Sequence, residues 1–527
     1  MSTIKDNIDP KTKSHIESLT KIGIALSAEQ DINKFFNLIL DEAIRYTNAD
    51  AGTIYTVSDD QKYLDFKLVC TRSKNLKLGV ADTAKWPSIA LYEADGKPRN
   101  KTFVAYVANS GKAACIEDVY DQDIFDSAGT RVYDSKNNYR SQSMIAIPLK
   151  NHENDVLGVI QLINALDEAG EIISFNQAHH TMLTSLASQA AIALSNRKLI
   201  FGLENLLRQF IKSIASAIDR KSKYTGGHIT RVATLSELIS QKINLDQQHY
   251  PNIEFSDDEL QEISVAGWMH DVGKITTPIY VRDKATKLET ISDRIELVKT
   301  RFELVKMVIK KDMIALDKPE LAEKLAQLEQ YWQFVKKTNI GGEFLSADAL
   351  QLLQEIADFS YNSEGEEYYL LTADETRNLG IRKGTLLPEE IEIIREHAEV
   401  SMEMLNELTY PKKLKNVPRY ASAHHEKLNG EGYPLGLDAS QLPLQARLIA
   451  IADLYEALTA SDRPYKKGKT LSESLKIMCF MAKDNEIDKD LLDLLMDSGL
   501  YLEYAKKFLK PEQIDQPNIE QLKAFYR

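Results

Sequence analysis

Four short runs of the first 175 residues are rich in the apolar and β-branched residues that strands favour. The strand-like runs cover residues 51–57, 63–69, 143–149 and 156–163. Before them, between residues 15 and 50, apolar residues recur three and four apart, as they do on one face of a helix. Turn residues separate the two strands of each pair, as in antiparallel hairpins. The pattern predicts an N-terminal α+β domain over residues 1–175, with an antiparallel sheet flanked by helices.

A continuous helical pattern follows over residues 176–222. Its apolar residues, from Leu183 to Ile218, mostly keep spacings of three and four. One explanation is an ordinary amphipathic helix that packs on its own domain. Because the run is long and crosses a domain junction, we favour a connecting helix that pairs with its copy as the parallel stalk of a homodimer. Such a stalk would carry a signal between the two domains.

Helical spacing also dominates the remainder of the chain. We expect an all-α domain over residues 223–470 and a helical C-terminal extension over residues 471–527. Within this domain, a charged block at about residues 291–380 contains two amphipathic stretches, and a break at Ile340-Gly341-Gly342 follows them. The block predicts an inserted helical hairpin. A passive dimer contact is its first expected role, with a lid or a partner surface as alternatives.

Composition narrows the class of protein. Of the 527 residues, 43% are hydrophobic and 27% are charged, which is ordinary for a globular chain. The net charge of −13 argues against a general nucleic-acid binder, although local cations can still bind a small anionic substrate. No stretch approaches the ~20 apolar residues of a membrane span, and no signal-peptide pattern is present. We therefore expect a cytoplasmic protein without a membrane partner.

The three cysteines are far apart in the sequence, at Cys70, Cys115 and Cys479. Each stands in an apolar context, which predicts buried free thiols in a reducing compartment.

The strongest candidate for chemistry is the segment 424–434, with the sequence His-His-Glu-Lys-Leu-Asn-Gly-Glu-Gly-Tyr-Pro. Neighbouring residues on a helix point about 100° apart, so a hydrophobic core would use two adjacent imidazoles poorly. A cluster of metal ions can use both. Gly430 and Gly432 permit a sharp turn, and Pro434 fixes its own φ. The segment indicates a rigid loop beside a metal site, and a surface histidine pair is the alternative.

Further candidate ligands lie in four other segments. His270 and Asp271 follow an apolar helical run, and Asp453 ends another, where an unpaired buried carboxylate would be unfavourable. His228 and His397 complete the set. Each residue alone would more often be structural, but imidazoles and carboxylates together form a donor set that suits transition metals.

The order of these residues resembles the H…HD…D pattern of the HD metal-dependent phosphohydrolases, which the chain matches at His228, His270, Asp271 and Asp453. His397 and the segment 424–434 make the chain similar to the HD-GYP subfamily, the bacterial cyclic di-GMP phosphodiesterases. The resemblance covers about residues 204–469, apart from the insertion.

This resemblance implies a centre of two divalent metal ions, iron or manganese, with zinc as an alternative. Its seven ligands would be His228, His270, Asp271, His397, His424, His425 and Asp453. Asp271 would bridge the ions, with His228, His270 and Asp453 on one ion and the remaining three histidines on the other.

The resemblance also implies the roles of further side chains. Asp271 and Lys274 would be catalytic, and the substrate would be bound by Lys274, Tyr433, Arg463 and Lys466. Glu426 would orient one of the ligating histidines.

Two positions depart from the pattern of the subfamily. Some members carry Glu, which supports a third metal, where this chain has Tyr224. A phenol with a pKa of about 10 replaces a carboxylate ligand poorly, so two metals are expected. The subfamily usually has Asp where this chain has Asn429, which removes one charge from the signature loop.

The N-terminal domain resembles a GAF domain at residues 139–144 (Tyr-Arg-Ser-Gln-Ser-Met) and 158–164 (Gly-Val-Ile-Gln-Leu-Ile-Asn). That family implies a pocket for a small ligand, often a cyclic nucleotide or a chromophore. Residues 135–140 are most similar to the members that bind cyclic nucleotides. A chromophore is not expected, because Cys70 and Cys115 are assigned to the core. We expect ligand-regulated sensing ahead of a structural or dimerising role, with the ligand unknown.

The predicted activity is hydrolysis of cyclic di-GMP to linear pGpG and onward to GMP, regulated through the GAF domain. One alternative is an enzyme for another cyclic dinucleotide, such as cyclic GMP-AMP. A second is a receptor or scaffold that binds cyclic di-GMP without cutting it. The 430–434 loop would shape the wall of the nucleotide site or contact a partner such as a diguanylate cyclase (GGDEF).

Overall fold

The computed structural model of the chain describes residues 20, 23–25, 29, 31–84, 86–221, 226–313, 318–342, 344–461 and 468–527. The chain divides into two compact units, Met1–Asn205 and Leu206–Arg527. The first is built on a sheet, and the second is almost entirely helical. The predicted fold class is therefore confirmed.

The first unit contains one antiparallel sheet with the strand order β3-β2-β1-β7-β6-β5, extended by β4 beside β2 and β8 beside β7. The strands are β1 (Ala49–Val57), β2 (Tyr63–Thr71), β3 (Leu76–Leu78), β4 (Ile89–Ala90), β5 (Ala114–Ile116), β6 (Met144–Lys150), β7 (Val156–Leu166) and β8 (Ile172–Ile173). The helices are α1 (Ile32–Thr47), α2 (Val80–Thr83), α3 (Phe103–Ser110), α4 (Ala128–Asn137) and the start of α5 (Gln177–Lys221). All four predicted strands are present.

The alternation along β1 separates two hydrophobic layers. Ile54 faces a core that the buried faces of α1 and α5 complete, for example with Leu40 and Leu186. Tyr55 faces the opposite layer, together with Phe103 of α3. Because successive strand residues point to opposite faces, this sheet is covered on both sides.

The long helix α5 confirms the predicted continuous run. The Asn176 side chain accepts a hydrogen bond from the backbone N–H of His179 at 2.9 Å and so caps its first turn. Near its start Leu183 and Leu194 are buried in the first unit, and near its end Ile211 and Ile218 are buried in the second.

The second unit is built mainly from helices. They are α6 (His228–Leu245), α7 (Asp257–Met269), α8 (Ile279–Arg282), α9 (Ile295–Met313), α10 (Lys318–Asn339), α11 (Ala347–Asp358), α12 (Ala373–Leu379), α13 (Pro388–Asn406), α14 (Val417–Ser422), α15 (Leu444–Thr459), α16 (Leu471–Lys483), α17 (Lys489–Asp497), α18 (Leu500–Phe508) and α19 (Ile519–Lys523). The main core joins α6, α7, α14 and α15 with α16 to α18. The segment predicted as an extension therefore contributes to the core of the unit.

The inserted block has its own small core, which includes Phe302 and Leu328 of the two predicted helices α9 and α10. It also contains a strand pair that the apolar pattern did not predict, β9 (Ser360–Ser363) and β10 (Glu366–Tyr369). The two turn residues Glu364 and Gly365 both have positive φ, 54° and 88°. Two consecutive residues with positive φ match the twist of a two-residue β-hairpin. The Glu-Gly pair between two tyrosine-containing runs was therefore the sequence signal from which this hairpin could have been predicted.

The prediction for the thiols holds only in part. Cys479 is buried and Cys70 is partly buried, but Cys115 is exposed. Cys115 lies on β5, which is the last strand in the sheet order. In the described part of the chain, none of the helices has both the length and the apolar character needed to cross a bilayer.

Candidate metal centre

Five elements of the second unit bring the predicted ligands together. His228 is the first residue of α6, His270 directly follows α7, and His397 lies within α13. His424 and His425 occupy the turn after α14, and Asp453 lies in α15. Their donor atoms form overlapping groups in which all atoms lie within 4.8 Å of one another.

Local sequence explains how α7 delivers His270 and Asp271. Ser256 and Glu259 form a capping box at its N-terminus. Ile263, Ala266 and Met269 then bury the helix in the core, which fixes the position of its last turn.

Gly273 allows the next turn to approach α13. It lies in the short 3₁₀ helix Val272–Ile275, and a Cβ at this position would stand 2.1 Å from the carbonyl oxygen of His397. The backbone N–H of Gly273 donates to the Ser401 hydroxyl at 2.8 Å. This close packing holds Asp271 next to His397.

Three of the histidines share one orientation. The Nδ1–H of His270 donates to the Gly267 carbonyl at 2.8 Å, and that of His424 donates to the Ala421 carbonyl at 2.6 Å. His397 makes the same contact with the Ile394 carbonyl. Since Nδ1 carries the proton in each ring, Nε2 presents its lone pair, as a metal ligand must.

These lone pairs are buried, and no protein partner for them is found in the described part of the chain. Nε2 of His270, His397 and His424 and Oδ1 of Asp271 are solvent-inaccessible and accept no hydrogen bond within the described residues. Buried polar atoms are rarely left unsatisfied, and four of them in one cluster indicate a ligand that the protein itself does not supply. Neutral imidazoles and carboxylates fit divalent transition metals.

Asp271 stands between two groups of ligands. Its Oδ2 lies 3.0 Å from Nε2 of His228 and 3.3 Å from Nε2 of His270. Its Oδ1 lies 3.3 Å from Nε2 of His397 and 3.8 Å from Nε2 of His424.

The remaining predicted ligands join these two groups. Asp453 Oδ1 lies 3.3 Å from His228 Nε2, and His425 groups with His397 and His424. The structure therefore brings all seven residues into one cluster, and the two oxygens of Asp271 face different members of it.

Burial sets the charge of two of the imidazoles. It brings the pKa of His424 well below its usual range, and it lowers the pKa of His425 to about 3. Both rings are therefore neutral at physiological pH, as ligation requires.

At Asp271 and His228, the charges of neighbouring groups shift the pKa more than burial does. Burial would raise the pKa of Asp271, but the charge of Lys274 outweighs it and holds this pKa well below its ordinary value. Burial opposes a charge on His228, but Glu456 and Asp271 outweigh it and raise the pKa of His228 to about 10. Both carboxylates favour a positive charge on this ring, and a metal ion bound at Nε2 would supply that charge as a proton does.

Glu456 is a site residue that the sequence reasoning missed. Asp453 was expected to end its helix, but α15 continues to Thr459 and places Glu456 almost one turn further along. Glu456 Oε2 lies 2.5 Å from Nδ1 of His228, and its Oε1 accepts a hydrogen bond from Nε of Arg231 at 2.7 Å. The i, i+3 spacing of the two acids was the available signal.

Replacing Glu456 with glutamine should weaken metal binding about 10- to 100-fold, as loss of a group that orients a ligating histidine commonly does. The amide keeps the size of the side chain but loses the charge that fixes His228. Competition with a chelator measures the affinity, and the exposed Glu403→Gln on α13 is the matched control. Unchanged affinity in the Glu456 variant would show that His228 needs no such support.

Glu426 has a different position from the one expected. Its two carboxylate oxygens accept hydrogen bonds from the backbone N–H groups of Leu435 and Leu437, at 2.7 and 2.9 Å. They hold the 430–434 loop against the turn rather than a histidine. Gly432 is required there, because a Cβ would lie 2.4 Å from Cα of Glu426.

The other predicted residues differ in how far the structure describes them. Tyr433 stacks on the His425 ring, with centroids 4.7 Å apart, and Lys274 Nζ lies 2.5 Å from Asp271 Oδ2. Asn429 Oδ1 accepts a hydrogen bond from the Glu431 N–H at 3.0 Å, a bond that an aspartate could accept equally well. Arg463, Lys466 and Tyr224 lie outside the described residues.

Comparison with known families confirms both predicted domains. A protein-family model described as "GAF domain" matches residues 31–194, and one described as "HD domain" matches residues 373–491. The chain therefore contains a GAF domain and an HD domain. The HD match includes His397, His424, His425 and Asp453.

Curated relatives are similar to shorter parts of the chain. A probable cyclic di-GMP phosphodiesterase of Vibrio cholerae serotype O1 is 34% identical over 146 residues, which are 27% of this chain and 33% of that protein. A cyclic di-GMP phosphodiesterase of Thermotoga maritima is 35% identical over 96 residues, covering 18% of this chain and 26% of that protein.

One of the relatives is named for a different cyclic dinucleotide. The 3'3'-cGAMP-specific phosphodiesterase 3 of Vibrio cholerae serotype O1 is 36% identical over 97 residues, covering 18% of this chain and 20% of that protein. In these three comparisons the chain spans a third or less of the length of each relative.

Proposed function

We propose that this chain, which carries a GAF domain and an HD domain, is a metal-dependent phosphodiesterase that hydrolyses cyclic di-GMP to linear pGpG and then to GMP. The observation that carries the proposal is the pair of ligand groups that face the two oxygens of Asp271. In this arrangement three buried Nε2 lone pairs accept no hydrogen bond from the described residues. A structural core would not be expected to leave these atoms unsatisfied. The names of the relatives support the class of substrate.

The chain's own residues then have distinct tasks. His228, His270 and Asp453 would hold one divalent ion, His397, His424 and His425 the other, and Asp271 both. Bound ions supply Lewis acidity toward a phosphoryl oxygen and make water more acidic. The histidine-rich set suits iron or manganese, and zinc is the alternative.

Lys274 would act on the substrate. Burial opposes its charge, but the carboxylate of Asp271 raises its pKa, so that it remains an ammonium ion. Its side chain is 27% exposed, which leaves it reachable from solvent while it contacts Asp271. It can donate to a phosphoryl oxygen and stabilise the charge that develops during hydrolysis.

Tyr433 would form the wall against which the nucleotide lies, because it stacks on His425 at the edge of the centre. Arg463 and Lys466 stay predictions for contacts with the substrate phosphates. A diguanylate cyclase that binds the 430–434 loop also stays a prediction.

The test is turnover of cyclic di-GMP by anaerobically purified protein loaded with iron or manganese, followed by chromatography of the products. We expect pGpG, a loss of activity on chelation, and a lower melting temperature of the metal-free protein. Cyclic GMP-AMP is the second substrate to include, since one relative is specific for 3'3'-cGAMP. Binding of either dinucleotide without any product, at full metal occupancy, would instead make the protein a receptor.

We also propose that α5 pairs with a second copy of the chain. An exposed seam runs along its middle through Ile192, Asn196, Leu199, Leu203, Leu206 and Phe210. The spacings alternate between four and three, and the five apolar members are 55–65% exposed. This is the a/d pattern of a two-stranded coiled coil, in which a single Asn at an a position selects one register.

Introducing charge into this seam should separate the copies. The double variant Leu203→Glu, Leu206→Glu places four buried carboxylates at the helix pair, so light scattering should give the mass of one chain instead of two. Arg208→Glu, an exposed position two residues beyond Leu206, is the matched control and should remain dimeric. A native protein with the mass of one chain would refute the stalk.

A further inference from the structure

A cavity of about 490 Å³ lies in the first unit, on the face of the sheet opposite α1 and α5. Thr53 and Tyr55 of β1 and Gln161 of β7 form its floor, and Phe103 of α3 lies among its other walls. The volume is within the range of small-molecule sites, about 300–1,000 Å³.

Aromatic rings form much of the wall. Tyr55 and Phe66 have centroids 4.8 Å apart, and Phe66 and Trp86 have centroids 5.2 Å apart. Phe103 and Phe125 form another pair at 5.1 Å. Rings in such pairs present flat apolar surfaces, which favour a planar ligand that can stack on them.

The described lining contains no Lys, Arg or His side chain, and Asp126 is its one charged residue. The nearby Arg140 is committed elsewhere: it pairs with Asp118 at 2.8 Å and lies over the Tyr120 ring. Arg131 lies over the same ring. A phosphate group in the cavity would lose its hydration without gaining a cation from these residues, which is unfavourable.

Gln161 offers a polar group to a neutral ligand. Gln161 is 9% exposed, and its Oε1 accepts a hydrogen bond from the Tyr55 hydroxyl at 2.9 Å. This fixes the side-chain amide with its Nε2 near the sulfur of Met144, at 3.5 Å. Sulfur is a weak acceptor, so an oxygen or nitrogen acceptor on a ligand would be the better partner.

We propose that this cavity binds an uncharged, planar aromatic molecule that carries a hydrogen-bond acceptor, and that it rejects cyclic nucleotides. The segment 135–140 resembles that of cyclic-nucleotide binders, but the structure turns its arginine toward Asp118 and Tyr120. The inference concerns the first unit alone and does not depend on the proposed phosphodiesterase.

Two probes with one aromatic skeleton test the proposal on the full chain. 7-Diethylamino-4-methylcoumarin is planar and neutral and carries a carbonyl acceptor, whereas 7-diethylaminocoumarin-3-carboxylate carries one negative charge. We expect the neutral probe to bind once per chain and at least about tenfold more tightly than the anionic one, since the described lining offers the charged group no cation.

Energy transfer from tryptophan locates the bound probe. Trp86 lines the cavity, while Trp268 and Trp332 belong to the second unit. Trp86→Phe keeps an aromatic wall but should remove most of the sensitised emission of the neutral probe. Gln161→Arg adds a cation and should shift the preference toward the anionic probe. If that variant does not fold, the energy transfer from Trp86 still shows whether the neutral probe binds in this cavity.

Three results would each overturn the proposal. The anionic probe could bind the native chain as tightly as the neutral one. Cyclic AMP or cyclic GMP could displace the neutral probe at micromolar concentration. Finally, the sensitised emission of both probes could be the same in the Trp86→Phe variant as in the native chain.

Discussion

Asparagine in place of Asp271 is expected to abolish hydrolysis of cyclic di-GMP while leaving the fold intact. The two side chains have nearly the same shape, so packing at this buried position should change little. The substitution removes the negative charge that faces His228 and His270 through Oδ2 and His397 through Oδ1. Losing a group that only orients a ligand already costs about 10- to 100-fold, so losing the bridge should cost at least about 100-fold in rate.

The measurements for this variant are turnover and metal content per chain. We expect fewer than two bound ions, because both ligand groups share this residue. Asp258→Asn is the matched control, since Asp258 is an exposed residue in the first turn of the helix that carries His270. Native activity in the Asp271 variant would exclude the proposed centre, whereas full metal content without activity would restrict Asp271 to a catalytic role.

Alanine at Gly273 is expected to damage the site through the backbone. The added Cβ would stand 2.1 Å from the His397 carbonyl oxygen and 2.6 Å from the Ser401 backbone nitrogen. Neither atom belongs to a flexible side chain, so the 272–275 turn and α13 must move apart. Overpacking of this kind typically costs 1–3 kcal/mol, and we expect about 3 kcal/mol here because backbone must shift.

The same movement should separate Asp271 and Lys274 from His397, so turnover should fall more than the loss of stability alone explains. Chemical denaturation gives the free energy of unfolding, and turnover is measured where the variant is still fully folded. Gly342→Ala is the control, because a Cβ there meets no atom within 4 Å. A Gly273 variant with native stability would contradict the described contact between the turn and α13.

Much of the candidate site could be predicted because its chemistry depends on residue type and order. Imidazoles and carboxylates at His228, His270, Asp271, His397, His424, His425 and Asp453 are visible as letters, and the structure places all seven in one cluster. The four strands and the long helix were predictable for a similar reason. Periods of two and 3.6 residues are local properties of the chain.

What the sequence alone did not show depends on contacts between distant residues. Glu456 lies 228 positions from His228 and was missed because its helix was expected to end at Asp453. Glu426 was assigned to a histidine, but the return of the 430–434 loop brings the N–H groups of Leu435 and Leu437 to it.

The cavity of the first unit also separates what the sequence determined from what the tertiary structure decided. Sequence similarity at residues 135–140 suggested a cyclic nucleotide, since residue types were all that could be compared. Only the packed structure turns Arg140 toward Asp118 and Tyr120 and leaves the described lining almost without charge. The sequence by itself therefore determined the elements and the donor atoms, because these follow from local period and side-chain chemistry. The tertiary structure decided the partner of each donor and the charge of the cavity, because long-range packing sets both.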